Sequence, residues 1–233
     1  MGEHPLIISY FTPGTAYETH AQLLMKSVTA LGLEARIEPR PSKGTWIENC
    51  GQKPQFIRQI REAEGRPVLW IDADAVLRKP ITELIGSDAD LGVSKKKGWI
   101  FVGGHVYFGI SDRATWLLDA WCDYCETYPF TFDQVLLGYS WWDRTLSNSP
   151  PVVHWLSNDL YEKLRYRWWE RAIQRMTIDA AIFHKQESRQ SRHREDEPKV
   201  FGTSSIPKWW REAAKIERPF LLNEAQRAEL GLV

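Results

Sequence analysis

The stretch "VLWIDADAVLRKP", residues 68–80, decides how the rest of the chain is read. An apolar run leads into Asp72 and Asp74, one position apart, and Pro80 closes the segment. Carboxylates rarely enter an apolar interior unless a positive charge offsets their desolvation. The two aspartates therefore ask what neutralises them, and the answer depends on which end of which element they occupy.

Upstream, "LIISYF" (6–11) reads as a strand and "TPGT" as a turn. "AYETHAQLLMKSVTALG" (16–32) reads as a helix with Ala21, Leu24, Val28 and Leu31 on one face and Gly32 as its stop. "EARIEP" (34–39) is a second predicted strand. "KPQFIRQIREAEG" (53–65) repeats the helical pattern through Phe56, Ile57, Ile60 and Ala63. "PVLWID" (67–72) is then a near-continuous apolar strand of the kind buried on both faces of a parallel sheet. The series β-α-β-α-β predicts an open α/β sheet. In such sheets ligands bind beyond the carboxyl ends of the strands, where Asp72 and Asp74 fall. Alternate residues of an extended backbone project to one side, so the pair is expected to grip one hard divalent cation, Mn²⁺ or Mg²⁺, which keeps positions for substrate phosphate. An ordinary solvated turn is the competing reading.

A second Asp-x-Asp, Asp88 and Asp90 in "SDADLG", supplies a contrast. It follows a glycine and precedes a strand, so turn and capping duties are expected of it. Beyond Pro80, strands are predicted over 90–95, 102–110, 151–156 and 178–184, and helices over 112–128 and 133–142. This mixed α+β half, about 96–199, builds on the sheet of residues 1–95, and a tail, 200–233, is expected to pack back through Trp209, Trp210, Phe220, Leu221 and Leu222. The most polar stretch, 185–199, reads as a loop or flap.

Composition sets the bounds. The chain has 233 residues, 43% of them hydrophobic, enough for one full core. Lys plus Arg and Asp plus Glu number 30 each, so no global field draws it to nucleic acid or an anionic membrane. No segment approaches the roughly 18 consecutive apolar residues of a spanning helix, and the start lacks a signal-peptide pattern. A cytoplasmic location is expected, the host's cytoplasm for a phage-encoded chain. The odd count of three cysteines fits a reducing compartment. Cys122 and Cys125 form a CxxC within a helical pattern, and core packing outweighs a redox or zinc site because no second ligand pair accompanies them.

These residues together resemble the GT-A nucleotide-sugar glycosyltransferases, notably small bacterial and phage members. The resemblance rests on the strand ending in Asp-x-Asp, the Gly-Gly strand "FVGGHVYFG", the later "FDQVLL", and the terminal "IFHKQESRQSR". "SYFTPGTAYETHAQLL" and "GTWIENCGQKPQFI" extend it upstream. It implies a GT-A fold, a hexosyltransferase activity with a nucleotide-diphosphate sugar (UDP-glucose or another UDP-sugar) as donor, and Mn²⁺ or Mg²⁺ as cofactor. Asp74 would coordinate the metal and Asp72 would contact metal or ribose. His184 would complete the site, a satisfied buried histidine being the alternative. Lys185, Arg189 and Arg192 would neutralise the diphosphate, unless they simply solvate a loop. Tyr10, Thr12 and Tyr17 lie where base and ribose would sit, although core packing accounts equally for Tyr10. Lys53, a cation at a helix start, calls for a nearby anion, which favours contact with the donor's phosphate. Gly103 and Gly104 would let backbone approach the donor or accommodate a bulge. Asp133 would be the general base of an inverting transfer, or merely the cap of the helix that follows.

Tryptophan doublets near basic residues, Trp141-Trp142, Trp168-Trp169 and Trp209-Trp210, are compatible with a hydroxymethylated pyrimidine in DNA as acceptor. A lipid-linked or polysaccharide acceptor is the alternative. A haloacid-dehalogenase-type phosphatase would also use Asp-x-Asp after a strand, but after the first one and with a later acidic motif that is missing here. A non-catalytic nucleic-acid module is the remaining rival. Monomer and homodimer are both open.

Overall fold

A computed structural model describes residues 3–95, 101–163, 179–187 and 222–230. A six-stranded sheet carries the fold. It runs β2-β1-β3-β6-β5-β7, with β1 Leu6–Phe11, β2 Ala35–Pro39, β3 Val68–Ile71, β5 Leu91–Lys95, β6 Phe101–Phe108 and β7 Val153–Trp155. The predicted β-α-β-α-β half is present: β1 pairs parallel with both β2 and β3. Strand β6 then enters antiparallel between β3 and β5. That reversal brings the start of β6 beside the end of β3, with Ile71 opposite His105 and the Asp72 N–H donating to the Gly104 carbonyl at 3.0 Å. A second sheet, β4-β9-β8, consists of β4 Ala75–Leu77, β8 Tyr161–Lys163 and β9 Ile182–His184.

Helices follow from capping and apolar spacing. Helix α1, Ala16–Ala30, is capped by the Thr15 hydroxyl and buries Ala21, Leu24 and Val28. Helix α2, Trp46–Gly51, has a reciprocal capping box between Thr45 and Glu48. Helix α3, Lys53–Glu64, buries Phe56, Ile57 and Ile60 and ends at Gly65, whose φ of 61° needs no Cβ. Helices α4, Asp112–Thr127, and α5, Asp133–Thr145, cover the same side, and a short α6, Glu224–Glu229, follows. One core lies between the sheet and α3, α4 and α5. The other lies under α1 and the small sheet.

Several expectations change here. Of the strand predicted over 178–184, residue 178 lies outside the described residues and 179–184 form strand only at the last three, while the one over 151–156 forms only at 153–155. Trp141 and Trp142 are buried in the first core, 4% and 1% exposed, so this doublet serves packing rather than nucleic acid. The other two doublets, with Phe220 and Leu221 of the tail, lie outside the described residues, while Leu222 and Leu230 reach the same core. Cys122 and Cys125 face inward from α4, and burial pushes the Cys122 thiol up to about 12, far from thiolate chemistry. No described helix is long and apolar enough to cross a membrane.

Candidate active site

Asp72 leaves the end of β3 and Asp74 enters β4. Between them the chain turns, with the Ala75 N–H donating to the Asp72 carbonyl at 2.9 Å. The extended backbone expected for the pair is therefore replaced by a bend, because β4 must leave the large sheet to pair with β9. That pairing sets Ala75 opposite His184. Asp72, Asp74 and His184 thus converge, with one ligand atom from each lying within 4.8 Å of the others.

Each acid is held by one oxygen. Asp72 Oδ1 accepts from Trp70 Nε1 at 2.8 Å and lies 3.3 Å from Lys53 Nζ. Asp74 Oδ2 accepts from the Glu187 N–H at 2.9 Å, and its Oδ1 lies 3.9 Å from His184 Nδ1. Burial works to raise the Asp74 pKa, but His184 and the Glu187 amide outweigh it and hold the carboxyl below its ordinary value. Asp74 and His184 are buried, and His184 Nε2 has no hydrogen-bond partner among the described residues. Gly104 makes the convergence possible. A Cβ there would stand 2.6 Å from His184 Cε1 and 3.1 Å from both His184 Nε2 and Asp72 Oδ2. An orphaned imidazole nitrogen, two half-engaged carboxylates and a glycine floor fit a divalent cation with oxygen and nitrogen ligands.

On the helical side of the sheet, Lys53 is buried at the first turn of α3. Its ammonium meets Asp133 Oδ2 at 2.7 Å and donates to the Gly103 carbonyl at 3.0 Å, in addition to Asp72. The anion that Lys53 calls for is therefore supplied by the chain itself. Three acceptors match the three N–H bonds of an ammonium. Burial works to lower the Lys53 pKa, yet Asp133 and Asp72 carry it well above the ordinary value, so it stays a cation. Asp133 is the first helical residue of α5 rather than its cap, which is Phe132, and it is 2% exposed. Burial raises its pKa against the opposing pull of Lys53. Gln134 reaches back to accept from the Gly103 N–H at 3.4 Å.

The remaining expected residues divide. Tyr10 belongs to the core: its ring packs on Phe56 and Trp70, and its hydroxyl donates to the Asn49 carbonyl. Stacking on a base is therefore replaced by the packing alternative. Thr12, half-buried at the end of β1, accepts from the Thr15 hydroxyl at 2.7 Å. Tyr17 is half-buried; burial raises its pKa, against a hydrogen bond with the Trp46 side chain. Lys185 follows His184, and its ammonium turns toward His20 Nδ1 at 3.5 Å. Arg189 and Arg192 lie outside the described residues. Sequence reading missed Trp70, His20, Glu187 and His105. His105 sits behind His184 with ring centroids 6.0 Å apart, and its Nε2 meets Ser94 Oγ at 2.9 Å. A histidine inside "GGHVYFG" was a signal in plain view. The other three have no local pattern that marks them.

Solved structures resemble this fold. A glycosyltransferase involved in the glycosylation of the major capsid of PBCV-1 superposes with a TM-score of 0.58 at 17% identity, over 79% of this chain and 93% of that one. The fold is of the GT-A type. The apo glycosyltransferase GlyE of Streptococcus pneumoniae TIGR4 shares this GT-A-type fold with a TM-score of 0.50 at 13% identity, over 79% of this chain and 55% of its own. No protein-family model and no curated sequence matches the chain. The GT-A-type sheet places the Asp72-Asp74 turn beyond the carboxyl end of β3, where open α/β sheets receive ligands.

Proposed function

We propose that the protein is a metal-dependent glycosyltransferase that moves a sugar from a nucleotide-diphosphate sugar, a UDP-sugar in the first instance, to a hydroxyl acceptor. The convergence of Asp72, Asp74 and His184 on one point at the strand end carries this reading. Mn²⁺ or Mg²⁺ held there would supply a positive charge for the diphosphate that leaves as the glycosidic bond breaks. Asp72 and Asp74 would hold it with the oxygens that their tethers leave over. Lys53 tethers Asp72 through Oδ1, and Asp133 holds Lys53 in turn. Asp133, expected as a general base, is engaged with Lys53 and closed to solvent, so positioning is the duty this geometry supports. Thr12 and Tyr17, beyond the end of β1, would meet the nucleoside, and Lys185 would meet phosphate.

The acceptor proton must leave with transfer, whichever hydroxyl compound serves. With Trp141 and Trp142 in the core, the case for a pyrimidine in DNA rests on the other doublets alone. A thermal-shift panel of UDP, GDP and their sugars, each with and without Mn²⁺, tests the donor half. A ligand bound only to the folded state raises the Tm. One nucleotide should raise it only when Mn²⁺ is present, and this shift should vanish in Asp74→Ala. Shifts that ignore Mn²⁺, or none at all with any nucleotide, overturn the proposal.

A further inference from the structure

Residues 184–187 form a strap across the Asp72-Asp74 turn, and its fastening lies on a different helix. The Lys185 N–H donates to the Asp74 carbonyl at 3.0 Å, and the Glu187 N–H donates to Asp74 Oδ2 at 2.9 Å. Both amides can face one residue because Gln186, between them, adopts a left-handed φ of 59°; among the described residues no other non-glycine residue has a positive φ. That conformation is unfavourable for a side-chain-bearing residue and persists only where its surroundings hold it. The holding contact is visible. Glu187 Oε2 meets His20 Nε2 at 2.9 Å, and the Lys185 ammonium approaches the other ring nitrogen, His20 Nδ1, at 3.5 Å.

The donor pattern is self-consistent. If Lys185 donates to Nδ1, then Nε2 carries the proton that Glu187 accepts, so a neutral His20 satisfies both partners at once. The bonds close a ring: Asp74 to Glu187, Glu187 to His20, His20 to Lys185, and Lys185 back to Asp74. His20 and Glu187 are each 16% exposed, so the contact is partly shielded from water. Its effect at the metal position is directional. With Oδ2 tied to the strap, Asp74 presents Oδ1 on the side of His184, and His184 itself is the strap's first residue.

We infer that His20 and Glu187 are positioning residues: a latch between α1 and the strap that orders Asp74 and His184 for the divalent cation. The inference rests on the metal-site reading above, and its test separates the two. Mn²⁺ binding is followed by electron paramagnetic resonance of the free ion, without donor or acceptor, on the folded full chain. Outer-shell partners of metal ligands typically govern affinity by about 10-fold to 100-fold. His20→Ala and Glu187→Ala should each weaken Mn²⁺ binding at least about tenfold on that scale. The double variant should be no weaker than the worse single one, because both remove one contact. His20→Gln, whose amide can still donate to Glu187, should restore most of the affinity, which a general loss of stability would not allow. Asp74→Ala serves as the reference. If it leaves Mn²⁺ binding intact, the metal site itself is misplaced and the latch falls with it. If Asp74→Ala abolishes binding while His20→Ala and Glu187→Ala bind as tightly as the unaltered protein, the latch alone is refuted. Strictly additive losses, or no rescue by His20→Gln, refute it as well.

Discussion

The chain contains Asp-Ala-Asp twice, at 72–74 and at 88–90, and the two copies end in opposite circumstances. Asp90 is fully buried at the entry to β5, and both of its oxygens are taken. Oδ1 accepts from the Ser111 hydroxyl, and Oδ2 accepts from Arg113 Nε at 2.7 Å and the Val152 N–H at 2.6 Å. It ties the start of α4 and the approach to β7 onto one strand, while Asp88 stays exposed in the loop that follows the 85–86 turn. Asp88 is thus an exposed loop residue, whereas Asp90 is a buried brace rather than a turn or cap residue. At 72–74 each carboxylate is anchored by one oxygen and leaves the other beside an imidazole whose Nε2 has no partner among the described residues. An identical tripeptide is structural where internal donors saturate it and a candidate ion site where they stop halfway.

That contrast can be broken by experiment, most sharply at its functional end. Asp74→Ala should abolish Mn²⁺-dependent nucleotide binding and reduce transfer by about 100-fold or more, in line with removing a cation that stabilises developing charge. Its urea unfolding without metal should change little by comparison. Asp90→Ala should do the reverse. It strands a half-buried hydroxyl and a backbone N–H and unpairs Arg113, for a loss of about 3 kcal/mol, read from the urea midpoint at constant slope. Mn²⁺ affinity in that variant should match the unaltered protein. Should Asp90→Ala weaken metal binding while Asp74→Ala unfolds the protein, the assignment of roles is inverted.

Gly104→Ala sharpens the geometry. Its Cβ would press on His184 Cε1, so Mn²⁺ affinity should fall by about tenfold, the low end for disturbed metal ligation. Full affinity in this variant would mean that His184 relaxes freely. The mildest effect concerns acid. Burial first, then His184 and Lys163, depress the His105 pKa well below 6.5. The unfolded chain therefore binds the proton more readily, and stability falls as pH drops below about 6.5. His105→Gln, measured in chelator, should flatten that decline, whereas Asp90→Ala should leave its shape unchanged.

Much of this was legible in the chain. The alternation of apolar runs and amphipathic helices gave the order of β1 to β3, and the terminal position of Asp72 followed from it. The direction of β6 was not legible, because an apolar run reads the same whichever way the strand points. Helix α2 escaped notice although its Thr45 and Glu48 form a capping box, since six residues show too little periodicity. Three-residue strands such as β4, β8 and β9 exist through their partners, and no local preference marks their ends. His184 was reached through family resemblance. His20 and Glu187 were reached by neither route, for their contact spans 167 positions and joins two ordinary polar residues.

The amide of Glu187 closes onto a carboxylate 113 positions earlier. A nascent chain therefore carries Asp72 and Asp74 out of the ribosome long before their third ligand and its strap exist. At the proposed site, affinity for the ion must wait until residues 184–187 have been made, so cation capture cannot seed the early sheet.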